Sequence, residues 1–328
     1  MLKEQVLNTI KKYNLISEND KIICGVSGGP DSICMLDILK DLTEKIRFEI
    51  IVCHVNHLIR EEAISDEEYV VNYCKKNKIK CYVKRIDVKN YANNNKQGTE
   101  EAGRTVRYKF FDEILEKENA NKIAIAHNKN DKIETIIMNM LRGSGVSGLR
   151  GIEPKRNNKY IRPLIEIQRA QIEEYCLENN LEPRIDKTNF INDCTRNKIR
   201  NIVIPYIKKE FNPNIINTID RLSSVIEEED KYLEKVTKES FDRLKIKEEK
   251  GLIILNLKEF NKQDRVIKKR LIIYTINKTI GNVQNIEKVN IDDIIKLCDK
   301  NIGNKYLMPN KNIKILVNKN QFFFEAKY

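Results

Sequence analysis

The chain has 328 residues, room for about two domains at the usual ~100–200 residues each. Its apolar content of 41% supports a real core and excludes global disorder, and no apolar run approaches the ~18 residues of a membrane-spanning helix. A net charge of +12 makes an anionic macromolecule a natural partner, although the Lys-, Asn- and Ile-rich bias along the whole chain would raise lysine by itself.

The N-terminus, MLKEQVLNTIKKYNLISEND, shows helical apolar spacing over residues 4–15 and lacks the continuous apolar stretch of a secretory signal, so the expected compartment is the cytoplasm. Strand-like and helix-like segments then alternate. Lys21–Val26 reads as a short buried strand, Ser32–Leu42 as a helix and Phe48–Val55 as a strand. Ser65–Lys76 reads as a helix with Ser65 as its cap, Ile79–Val88 as a strand and Thr99–Lys117 as a long helix. Lys122–Ala126 is a strand and Asp131–Leu141 a helix. This alternation predicts βαβ units and a Rossmann-like parallel sheet, and the Ile/Val/Cys-rich strands predict burial on both faces.

From Arg142 to Arg162 the chain is rich in Gly and Arg and reads as a connector. Ile167–Asn179 is a helix, followed by an irregular polar stretch. Pro213 opens a long charged helical stretch to about Lys245, where KIKEEKG looks like a boundary turn. A strand (LIILNL), helices over 262–279 and 286–299, and a hairpin turning at Asn318-Lys319-Asn320 complete the chain. The expected domains are 1–212, an α/β nucleotide-binding domain, and 213–328, a helical region with a small α+β domain.

The eight cysteines form no CxxC pair, which fits neither a zinc nor an iron–sulfur site and suggests reduced, structural thiols. Chemistry concentrates elsewhere. Ser27-Gly28-Gly29-Pro30-Asp31-Ser32 follows a buried strand and opens a helix. Backbone amides at such a turn bind anions, and glycines let the backbone close on a phosphate. The P-loop lysine is missing. The chain's three histidines, His54, His57 and His127, all fall at predicted strand ends on one side of one sheet, where open α/β sheets bind ligands. Asp131 and Glu134, three apart, share a helix face and suit a cation or an amine; Asp131 also suits the helix dipole. Arg104 and Arg107 share a face in the same way, and either phosphate or Glu100 and Glu101 would pair with them.

SGGPDS resembles the pyrophosphate-binding loop of the N-type ATP pyrophosphatases, the PP-loop superfamily, which split ATP between the α- and β-phosphates and transfer AMP. The ordered set SGGPDS, HVNHLIRE, RTVRY, AHNKNDKIET, LRGSGVSGLRG, IRPL and the distal Asp186, Thr188, Asn189 and Arg196–Arg200 is similar to the tRNA(Ile)-lysidine synthetases over roughly residues 20–205. Family members often carry two adjacent aspartates where this chain has Asn130-Asp131, and longer members continue into a further domain. The resemblance implies a ligase that adenylates the wobble cytidine of a CAU-anticodon isoleucine tRNA and joins free L-lysine to its C2, converting the codon read from AUG to AUA. It implies ATP on Ser27, Gly28, Gly29, Pro30, Asp31, Ser32, His54 and His127, with Mg²⁺ near Asp31. It also implies lysine on Asp131 and Glu134, and Asp31, Asp131, Arg107 and Arg200 as the catalytic set. A homodimer is left open. A cytidine 2-thiolase on the same scaffold would need cysteines for sulfur or a cluster. An ammonia-using synthetase would not need the basic connector, and a non-enzymatic RNA-binding protein would leave SGGPDS and the histidines without a purpose.

Overall fold

A computed structural model describes residues 1–58, 63–184, 191–300 and 305–327. The chain divides into two compact units, Met1–Ser224 and Val225–Tyr328.

The first unit is built on a six-stranded sheet. Its strands are β1 (Lys21–Gly25), β2 (Glu49–Asn56), β3 (Lys80–Arg85), β4 (Lys122–Ile125), β5 (Lys155–Arg156) and β6 (Tyr160–Ile161). They lie in the order β3-β2-β1-β4-β6-β5, and every pair but β5–β6 is parallel. Both faces of β1 are covered. Ile22 and Cys24 pack with α1 (Leu2–Lys12), α2 (Pro30–Leu42) and α3 (Ala63–Lys76) in one apolar cluster. Ile23 packs on the other face with Phe110, Phe111 and Ile114 of a helix over Thr99–Lys117. Such two-sided burial explains why β1 reads as an unbroken apolar run.

Strand order reverses direction at β1. The chain leaves β1 through α2 toward β2, yet β4 docks on the opposite side of β1. Such a switch point, beyond the carboxyl ends of the strands, is where open α/β sheets take their ligands. The turn after β1 and the turn after β4 both feed it.

Several elements differ from the sequence expectation. The strand expected over Ile79–Val88 stops at Arg85, and Val88–Asn95 is a helix, α4, capped by the Asp87 side chain, which accepts from Asn90 N at 3.0 Å. The helix at Thr99–Lys117 is therefore α5, and Lys129–Leu141 is α6. α3 already runs from Ala63, so Ser65 lies inside its first turn and not ahead of it. The connector holds a 3-10 turn at Val146–Arg150 besides β5 and β6. It leads to α7 (Arg169–Glu178), α8 (Thr195–Lys198), a π-helical turn at Ile199–Val203 and α9 (Ile204–Glu210).

After α10 (Ile215–Leu244), KIKEE is not a turn but strand β7 (Lys245–Glu249), paired antiparallel with β8 (Leu252–Asn256). With β9 (Tyr306–Asn310), β10 (Ile313–Asn318) and β11 (Gln321–Ala326) they form a sheet in the order β7-β8-β11-β10-β9. Ile313, Ile315 and Val317 alternate inward as a half-buried strand requires, and β11 adds Phe322 and Phe324. The three helices α11 (Leu257–Asn261), α12 (Arg265–Ile280) and α13 (Lys288–Lys300) join that core. The β10–β11 hairpin turns at Lys319-Asn320, with Lys319 at φ 51.

Gly25 ends β1 against Phe111, and a Cβ there would lie 2.6 Å from that ring. Phe111 is buried, so Gly25→Ala forces the ring or the strand to move, an overpacking that typically costs about 1–3 kcal/mol. Urea unfolding of the variant is expected to show that loss; an unchanged midpoint would mean the strand end and the ring are not tightly packed.

Candidate active site

The loop after β1 is folded back on Ser32. Its Oγ accepts from Ser27 N and Gly28 N, both at 3.2 Å, and donates to Gly29 O at 2.9 Å. Gly28 takes φ +92, a left-handed conformation in which a side chain would be strained, although a Cβ would meet Asp66 O and Val70 only at an ordinary 3.5 Å. Gly29 is the N-cap of α2, Pro30 its first residue and Asp31 the acidic group of its first turn. The N-terminus of a helix favours an anion, and this loop leads directly into that of α2.

The loop after β4 supplies the other half. Asn128, fully buried, caps α6: its Oδ1 accepts from Asp131 N at 3.0 Å, and Asp131 Oδ2 accepts from Asn128 N at 3.1 Å. The amide of Asn128 meanwhile donates to Asp31 Oδ1 at 2.8 Å, tying the two helix starts together. Asn130, in place of the family's frequent aspartate, accepts from Arg169 N at 3.0 Å and so anchors the start of α7 to α6.

Three carboxylates and three guanidiniums meet here. Arg200, on the π-helical turn, donates to both oxygens of Glu134, at 2.6 and 2.8 Å, and to Asp131 at 3.1 Å. Arg196 lies 3.3 Å from Glu134 and donates to Thr135 Oγ1 at 2.8 Å. Arg169 stands between Asp31 at 3.7 Å and Asp131 at 3.8 Å. Glu134 is buried, whereas Asp31 and Asp131 keep part of their surface open. Burial pushes the Asp31 carboxyl up to about 6, Arg169 opposing the rise and Asp131 adding to it.

All three histidines stand at carboxyl ends of strands, each with its own partner. His54 on β2 is buried with Nδ1 at 2.9 Å from the Val26 carbonyl, so that nitrogen carries the proton. His57 lies 3.5 Å from Arg107 Nη2. His127 accepts from Arg162 Nε at 3.1 Å. Burial lowers all three, His57 and His127 to about 4, so they are neutral hydrogen-bonding groups near pH 7.

The structure thus brings Asp31, Asp131, Glu134 and Arg200 into one network beside Ser27–Ser32. Arg107 joins His57 instead, and no hydrogen bond among the described residues links it to Arg200. Asp186, Thr188, Asn189 and the Ile59–Glu61 part of HVNHLIRE lie outside the described residues. Sequence reading missed Asn128, Arg169 and Arg162. For Asn128 a signal existed, since Asn with Asp three residues on is a capping-box pattern. Among the described residues no group of three His, Cys, Asp or Glu side chains could hold a metal ion, and no helix is long and apolar enough to cross a membrane.

A family model, the PP-loop domain, matches residues 2–207. The chain is 47% identical over 307 residues to a tRNA(Ile)-lysidine synthase of Clostridium acetobutylicum, covering 93% of this chain and 66% of that protein. It is 45% identical to that of Clostridium tetani (95% and 67% covered) and 43% identical to that of Clostridioides difficile (95% and 68%). It therefore spans about two thirds of the length of these curated relatives. Among solved structures, a U34-tRNA thiolase of Methanococcus maripaludis with its [4Fe-4S] cluster superposes with a TM-score of 0.54 at 21% identity, covering 68% of this chain and 78% of that one, a likeness of fold alone. With the PP loop, the capped β4 turn and these relatives in agreement, the chain belongs to the PP-loop family and, within it, to the tRNA(Ile)-lysidine synthases.

Proposed function

We propose that this chain ligates free lysine to C2 of the wobble cytidine in an isoleucine tRNA with a CAU anticodon, at the expense of ATP. The observation that carries the reading is the 2.8 Å hydrogen bond from Asn128 to Asp31, which ties the phosphate-type loop to the cap of the helix bearing Asp131 and Glu134. A nucleotide-activating half and an amine-binding half are thereby held in one crevice.

In the first step the cytidine O2 attacks the α-phosphorus of ATP, an O–P bond forms, and pyrophosphate leaves onto the loop amides and hydroxyls of Ser27–Ser32. In the second step the lysine ε-nitrogen attacks C2. The C2–O bond breaks, and AMP departs with that oxygen. The amine attacks only when neutral, and free lysine is charged near pH 7, so a carboxylate must take its proton; Asp131, partly open, suits that task. Glu134, enclosed by Arg200 and Arg196, acts by holding Arg200 toward the reacting phosphate, and Arg107 serves the substrates from the β2 side. His54 and His127, neutral, supply hydrogen bonds to the nucleotide and carry no proton in the reaction.

Asp31, in the first turn of α2 beside the Ser27–Ser32 loop, offers a hard carboxylate oxygen besides the one bonded to Asn128. That fits Mg²⁺, which is held by one or two carboxylates together with phosphate oxygens. The ion would supply charge neutralisation for the departing pyrophosphate.

Lysine-dependent AMP release and lysine incorporation into the isoleucine tRNA transcript test the reading. Incorporation is expected with the wobble cytidine and not with uridine in its place; transfer onto the uridine transcript would mean the substrate is wrong.

Asp31 separates activity from stability. Below about pH 6 its carboxyl is neutral, so kcat/KM for ATP should rise with pH through that region and then level, because His57 and His127 titrate near 4. The folded value lies above the ordinary carboxylate value of ~3.9. The ionised group therefore costs stability above pH 6, and the cost disappears as pH falls toward 4. Asp31→Asn should abolish adenylation while melting no lower than the parent at neutral pH. A folded, active Asp31→Asn protein would remove Asp31 from the mechanism.

Asp131→Asn keeps an acceptor for the α6 cap but loses the charge that meets the amine. A charge-assisted hydrogen bond is worth about 1.5–3 kcal/mol, so half-saturation by lysine should rise roughly 10- to 150-fold. That for ATP should move far less. Equal shifts in both constants would make the residue structural.

A further inference from the structure

Beside His127 lies a cleft of about 510 Å³ with a strong imbalance of charge. Arg104, Arg142, Arg150, Arg156, Arg162 and Arg196 line it, against the single carboxylate Glu153. Glu153 is engaged with Arg150 at 2.5 Å, and Arg162 spans from the Glu153 carbonyl at 2.6 Å to His127. Arg104 and Arg156 are held differently. They pair with rings and with no carboxylate among the described residues. Arg104 stacks 4.9 Å from the centre of Tyr108 and donates to its hydroxyl at 3.3 Å. Arg156 stacks 4.7 Å from Tyr160 and 5.7 Å from Tyr108, and the two tyrosines meet edge to face at 5.2 Å. The result is an Arg–Tyr–Arg–Tyr ladder, assembled from α5 and the β5–β6 hairpin.

We propose that this ladder is a stacking ledge for an unpaired nucleotide of an RNA loop, and that the cleft seats that nucleotide on its way to the Asp31–Asp131 crevice. The proposal rests on the tRNA reading above and names the surface that executes it. A cleft for phosphates alone would be served as well by lysines, which this chain has in abundance. Guanidiniums held over tyrosine rings offer planar groups beside aromatic ones, and planes are what unstacked bases pack on. The volume lies in the ~300–1,000 Å³ range of small-ligand sites, enough for a splayed nucleotide and not for a duplex. The wall of the cleft also leads inward: Arg162 bonds His127, and the next residue, Asn128, holds Asp31.

The test is the double exchange Arg104→Lys with Arg156→Lys, which keeps both charges and removes both planes. Both side chains are exposed, so folding is expected to survive, as a thermal midpoint verifies; each single exchange should show part of the effect. Fluorescence anisotropy with a labelled hairpin RNA carrying a CAU loop is expected to give about tenfold weaker binding, the order of one lost base-stacking contact. The salt dependence should not change, since the number of charges is kept. A blunt duplex RNA should bind parent and variant alike. Parental affinity in the double variant would overturn the ledge and leave charge alone as the explanation, and an equal loss on the duplex would overturn its preference for unpaired nucleotides. Lysine incorporation by the parent on full tRNA is measured in parallel. Its absence would sink the lysidine reading while hairpin binding still decides the ledge.

Discussion

The crevice depends on one buried amide. Asn128 spends its carbonyl oxygen on the first turn of α6 and its amino group on Asp31 of α2. Parallel neighbours β1 and β4 aim two helix N-termini at the same place, and two partly positive ends would repel without something polar between them. Asn128 supplies that link from a fully enclosed position. An unmade hydrogen bond there would cost far more than the bond itself contributes, so the geometry of both loops is specified together. Asn130 repeats the device one turn outward by anchoring α7, which sets Arg169 between the two aspartates.

Electrostatics divide the surface into two zones. Around Asp131 and Glu134, three carboxylates face three guanidiniums at short range, a balanced arrangement in which buried charge is paired. In the neighbouring cleft the arginines outnumber the single carboxylate. A balanced centre can stabilise small shifts of charge during bond making without attracting ions indiscriminately, while an unbalanced entrance draws in a polyanion from a distance. His127, neutral, lines that cleft and adds no charge to it.

Much of this was legible in the residues. β1, α2, α5 and β4 were readable because buried parallel strands are apolar on both faces and α5 carries sustained helical spacing. α4 was hidden: DVKNYANNN is Asn-rich and poor in helix formers, and its start depends on the Asp87 cap. β7 was hidden for the opposite reason. Its five residues are exposed and mostly charged, which is how an edge strand avoids pairing with another chain. In the site, SGGPDS declared itself because backbone geometry there demands particular residues in series. Asn128 and Arg169 act through single side-chain contacts across the fold, and no local pattern in the chain announces where Arg169 will land.

The composition left the basic charge ambiguous, and the placement of arginine resolves it. The chain has 43 lysines and only 17 arginines. Nine of those arginines, at 104, 107, 142, 150, 156, 162, 169, 196 and 200, stand at the ends of β2 and β4, in the network or in the cleft. The nearest lysines of α6, Lys129 and Lys132, pair with Asp220 instead. A compositional drift toward lysine has no reason to spare this region. Chemistry does. Guanidinium stays protonated at any relevant pH and gives planar, forked contacts to carboxylate and phosphate. A lysine side chain placed there would bring a second amine, able to lose its proton, into a crevice proposed to choose one amine from solution. Among the described residues, the arginines of the network and cleft hold anions without offering a competing nucleophile.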